Sequence, residues 1–147
     1  MSKRRSASRQ ELDRQLKQVE FFIERSVGSE ILARELRLKG AVVHLHSDHF
    51  VDDAPDEAWL RLAGENRWVV IHRDGKILRR TLEREAFMAA GVRVFFFDKG
   101  NMKMDELAAL VAAYLPRMRL WAVKRPGPFF GKITGNGLEQ VYPRRSR

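Results

Sequence analysis

Four acids stand where the apolar runs of this chain give out. Glu24 closes Phe21-Phe22-Ile23, Asp56 follows Pro55, Asp74 follows Val69-Val70-Ile71-His72-Arg73, and Asp98 follows Phe95-Phe96-Phe97. One acid in such a place caps a helix or pairs with a neighbour such as Arg25, Arg73 or Lys99. Several acids brought to one spot repel each other, and a bound cation relieves the repulsion. Oxygen donors without sulfur suit Mg2+ or Mn2+. Such an ion can activate water and offset the charge of a phosphodiester undergoing hydrolysis. A second group, His44-Leu45-His46-Ser47-Asp48-His49, carries the spacing H-x-H-x-D-H. Alternate residues of a strand share a face, so His44 and His46 are expected side by side, an arrangement that suits zinc.

For the four acids to meet, the elements before them must line up. Ser8 and Glu11 form an S-x-x-E capping box, which predicts a short polar helix over about 9–17. Val19 to Ile23 reads as a strand, 29–39 as a helix stopped by Gly40, and 41–45 as a second strand. Pro55 starts a helix lined by Trp59, Leu60, Leu62 and Ala63. Residues 68–71 form a third strand, about 79–90 a helix ending at Gly91, and 92–97 a fourth strand. A helix over 103–115 closes before Pro116, with 117–123 as a further turn or two. Residues 129–134 and 138–142 flank Gly135-Asn136-Gly137 as a terminal strand or hairpin. Continuous apolar runs such as FFI, WVVI and VFFF are the mark of strands buried on both faces of a parallel sheet. The expected fold is therefore α/β, a mostly parallel central sheet flanked by helices in three layers. The crevice beyond the carboxyl ends of its strands is where the four acids fall.

The length of 147 residues suits one domain, and 44% hydrophobic residues are enough to pack it. There is no cysteine, which excludes disulfides, zinc–thiolate sites and thiol catalysis. The polar start Met1-Ser2-Lys3-Arg4-Arg5-Ser6 does not read as a signal peptide, and no apolar run reaches membrane-spanning length. A cytoplasmic protein is expected. The net charge of +9 is concentrated at the ends: Lys3, Arg4, Arg5 and Arg9 lie in the first ten residues, and Arg144, Arg145 and Arg147 in the last five. Without those seven, residues 11–142 carry +2. The division expected is a basic arm with a short helix over 1–18, a domain over 19–142 and a basic tail over 143–147. Such tails suit either phosphate contacts or plain solubility. Arg25, Lys76, Arg79 and Arg80 lie close in sequence to Glu24 and Asp74 and could hold phosphates. Trp59, Trp68 and Trp121 read as core or half-buried residues, and Met102, Met104 and Met118 as helix packing. Neither G-x-x-x-x-G-K-[ST] nor G-x-G-x-x-G occurs, so a nucleotide cofactor lacks support.

The stretches FFIERSVGSEILARELRLKGAVVHLHSDHF, APDEAW, WVVIHRDGKI, VRVFFFDKGN and PFFGKIT, in that order, resemble the PIN-like domains grouped with VapC-type toxin ribonucleases. The resemblance covers about residues 19–140. It implies a PIN-like fold, a Mg2+- or Mn2+-dependent ribonuclease, an RNA substrate and an antitoxin protein as partner, with a homodimer left open. Carried over by position, the metal-holding acids are Glu24, Asp56 and Asp74, which are also the catalytic ones, and Asp98 is a fourth metal candidate. Two positions depart from the pattern: Glu24 stands where it has Asp, and His72 where it usually has Thr. A catalytically degenerate module that binds RNA or a protein partner is the alternative they raise. HLHSDH also resembles the opening motif of metallo-β-lactamase-like zinc hydrolases. That fold is much larger and needs further ligands downstream, and after His49 this chain has only His72. A zinc hydrolase is thus the remote third reading.

Overall fold

The computed structural model describes residues 3–25, 28–51, 54–73, 75–97 and 102–144. Its centre is a six-stranded sheet in the order β2-β1-β3-β4-β5-β6. The strands are β1 (Glu20–Ile23), β2 (Val42–Leu45), β3 (Val69–His72), β4 (Arg93–Phe96), β5 (Phe129–Thr134) and β6 (Gly137–Tyr142). The first five run parallel, and β6 folds back antiparallel on β5. The last segment is therefore both a fifth parallel strand and a hairpin. Thr134 Oγ1 fixes its turn by accepting the backbone N–H groups of Asn136 and Gly137, each at 3.1 Å.

Helices cover both faces, which is why the inner strands β1, β3 and β4 carry continuous apolar runs. On one face Phe21, Ile23, Val69, Ile71, Phe95 and Phe129 pack with Leu32 and Leu36 of α2 (Ser29–Leu38), Leu107 and Val111 of α6 (Met104–Ala113) and Met118 of α7 (Leu115–Lys124). On the other, Phe22, Val70, Val94, Phe96 and Phe130 meet Trp59, Leu60 and Ala63 of α4 (Asp56–Glu65) and Phe87 of α5 (Thr81–Ala90). This is the three-layer α/β architecture expected. Trp59 and Trp68 are buried and Trp121 is partly so, while Met118 is buried in the first core with Met102 and Met104 packed against it. No helix among the described residues is long and apolar enough to cross a membrane.

Three local expectations are corrected. Helix α1 (Lys3–Lys17) starts well before residue 9, so Ser8 lies inside it and caps nothing. Its opening residues hold neither Gly nor Pro, so nothing forces a later start. The helix expected from 79 begins at Thr81, after a separate 3-10 turn over Gly75–Leu78. As expected, one helix (α6) closes before Pro116 and helix continues beyond it; Pro116 sits in the first turn of α7, where its missing N–H costs no bond. Finally, β2 stops at Leu45, and His46–His49 form a short helical turn, α3. His46 therefore does not continue the strand face of His44.

From β1 the chain crosses to β2 on one side and returns to β3 on the other. The crevice between diverging connections opens at such a switch point, beyond the carboxyl ends of β1 and β3.

Candidate active site

Glu24 is the first residue past β1, and its N–H reaches the carbonyl of Ile71 on β3 at 3.4 Å. Strand alternation puts it on the same side as Phe22, towards α4 and α5. His72 ends β3 on that side too. Its Nε2 lies 3.3 Å from Glu24 Oε2, and both side chains are largely covered, at 12% and 19% exposure. Phe87 meets the His72 ring edge-on at 6.0 Å. Pro55 has extended backbone and precedes the first turn of α4, which begins at Asp56. Asp56 Oδ1 accepts the indole N–H of Trp59 at 3.2 Å, which ties the carboxylate to its own helix.

These residues line one cleft of about 270 Å³. Glu24, Asp56, Glu57, His72 and Glu83 supply its polar groups, and Trp59, Leu60, Leu82 and Phe87 its apolar wall. The structure thus brings together two of the four expected acids, Glu24 and Asp56. Asp74 and Asp98 lie outside the described residues. Glu57 and Glu83 were not foreseen. The sequence signal for both is an acid in the first turn of a helix, common wherever a helix starts. His72 joins the cleft where only a departure from a pattern had been noted.

The chemistry of the donors fits a hard divalent cation, since carboxylate oxygens from separate elements face a partly enclosed space. Among the described residues, no three His, Asp or Glu side chains gather closely enough to hold an ion on their own. The basic candidates Arg25, Lys76, Arg79 and Arg80 are all exposed. Arg80 lies 3.6 Å from Glu83 at the cleft wall.

HLHSDH is divided by the end of β2. Asp48 Oδ2 accepts the N–H of Leu45 at 2.9 Å and stands 3.9 Å from Arg37, so this carboxylate starts the turn. His46 is buried beside Phe50, and among the described residues its Nδ1 has no hydrogen-bond partner. His44 stacks on Trp68 with ring centres 3.9 Å apart. Neither His44 nor His46 lines the cleft that holds Glu24.

A family model described as "PIN like domain" matches residues 19–99. A protein of Mycobacterium tuberculosis named "Putative ribonuclease VapC45" is 27% identical over 124 residues, covering 82% of this chain and 89% of the relative. No solved structure matches. The matched span contains β1 to β4, and with them the switch point and every described residue of the cleft. The chain belongs to the PIN-like domain family.

Proposed function

We propose that this protein is a ribonuclease that depends on Mg2+ or Mn2+, with Glu24, Asp56 and Asp74 as the carboxylates that hold the ion and Asp98 as a fourth. The observation that carries this reading is the meeting of Glu24 and Asp56 in one cleft at the switch point of a parallel sheet. The ribonuclease name of the M. tuberculosis relative supports the choice of RNA as substrate.

When bound, such an ion acts as a Lewis acid towards water and towards the scissile phosphate. The chain's own residues do the rest. Trp59 holds Asp56 in place through its indole N–H, and His72 holds Glu24 through Nε2. The extra methylene of Glu24, about 1.5 Å of reach, lets a strand-end acid contact His72 while it faces the cleft. Phe87 and Leu60 exclude water from one side. Arg25, Lys76, Arg79 and Arg80 contact RNA phosphates. The protein works in the cytoplasm, as the toxin of a pair whose antitoxin is a protein partner; a homodimer is compatible with this.

The test is cleavage of single-stranded RNA with Mg2+, Mn2+, Zn2+ or EDTA. Cutting is expected with Mn2+ or Mg2+, abolished by EDTA and by Asp74→Asn. A second reading, a module that binds RNA or a protein without cutting, is favoured by the Glu24–His72 pair, which engages an oxygen the ion would use. RNA retention without cleavage under every metal condition would select it.

A further inference from the structure

We infer that His44 and His49 form a two-nitrogen site for a borderline divalent transition ion, with Zn2+ the best fit, at the outer edge of the sheet and apart from the acidic cleft. His44 Nδ1 and His49 Nε2 lie 3.2 Å apart. Two nitrogens bound to one tetrahedral zinc at 2.0–2.1 Å stand about 3.3 Å apart, so the two rings are spaced as a ligand pair.

The far side of His44 fixes its tautomer. Its Nε2 is 2.8 Å from Glu20 Oε1. An ionised carboxylate only accepts, so Nε2 carries a proton, and in the neutral ring Nδ1 presents its lone pair towards His49. A carboxylate behind the outer nitrogen of a ligating histidine is the arrangement that orients metal-binding imidazoles and raises their basicity. The ring is also held flat against Trp68. His49 is exposed, so it can shift its proton to Nδ1 and an ion can enter from solvent. Among the described residues no third His, Asp or Glu completes the set, and water fills the remaining positions. Imidazole donors select Zn2+, Cu2+ or Ni2+ over Mg2+, so this site and the carboxylate cleft take different ions. Phe22, stacked between Trp68 and Trp59, stands between them. An ion here would clamp the end of β2 to α3 and raise the melting temperature.

Titrating ZnCl2 into untagged protein, followed by calorimetry and by NMR of the imidazole resonances, tests the site. The expected result is one equivalent bound, with the His44 and His49 rings shifted, a raised melting temperature and no competition from excess Mg2+. His49→Ala, a change at an exposed position, should abolish binding while leaving the fold intact. Glu20→Gln should weaken it by about tenfold or more. No zinc binding by the wild type, binding that survives His49→Ala, or an affinity indifferent to Glu20→Gln would overturn the proposal.

Discussion

Gly64→Ala tests how tightly the cleft depends on the seat of α4 against α5. Gly64 lies near the end of α4, about 12 Å along the helix from Asp56. A Cβ built on it overlaps the backbone oxygen of Ala90, and stands 3.4 Å from the Ala90 carbonyl carbon and 3.7 Å from its Cβ. Two effects oppose each other. Alanine in a helix is favoured over glycine by about 1 kcal/mol. Overpacking costs about 1–3 kcal/mol, and the obstacle is backbone that cannot rotate away, so the upper end applies. The net expectation is a loss of about 2 kcal/mol, or roughly 6–8 °C in Tm for a chain of this size. Thermal unfolding followed by tryptophan fluorescence reads it directly, since Trp59 and Trp68 lie in the affected core. Glu65→Ala, an exposed neighbour, should stay within about 0.5 kcal/mol. Because α4 carries Asp56 and α5 carries Glu83, the shift also reaches the cleft, and RNA cleavage should fall by up to about a hundredfold. A Tm unchanged or raised would mean that propensity outweighs contact, and that α4 does not rest on the Ala90 carbonyl as the structure has it.

Asp56→Asn keeps an Oδ1 acceptor for Trp59 but removes the charge, so RNA cleavage should drop about a hundredfold or more while Tm changes little; cleavage and calorimetry on the same preparation separate the two. Phe22→Ala empties a buried site where two indoles stack, and should cost about 3–5 kcal/mol in urea denaturation. Arg79→Ala should weaken RNA binding and lower the slope of log affinity against log salt by roughly 0.7, the share of one phosphate contact on a single strand. A slope identical to wild type would remove Arg79 from the interface.

The inner strands β1, β3 and β4 were legible because they are buried on both faces. Phe21 and Ile23 serve one core and Phe22 the other, so no polar residue interrupts the run and the strand end is marked by the first acid. The same rule made Glu24 readable as a cleft residue, and Asp56 followed from the proline before its helix. Glu57 and Glu83 escaped because an acid in a first turn looks the same whether it faces solvent or a cleft. Only the packing of α4 beside α5 distinguishes them, and that depends on contacts such as Gly64 on Ala90 that no local pattern encodes.

HLHSDH was misread for a related reason. Reading His44 and His46 as a pair assumes that the two-residue period of β2 continues through His46. Asp48, three residues after Leu45, accepts the Leu45 N–H and starts a helical turn there, and that acid was the available signal for a helix start. Once the period changes from 2 to 3.6, His46 turns into the interior and His49 comes round against His44. The partner on the other side, Glu20, follows from register. Glu20 pairs with Val42 in the parallel ladder, so it shares a face with His44, two residues further along β2. The histidines that meet in this stretch are thus 44 and 49, joined by a turn and backed by an acid from the neighbouring strand.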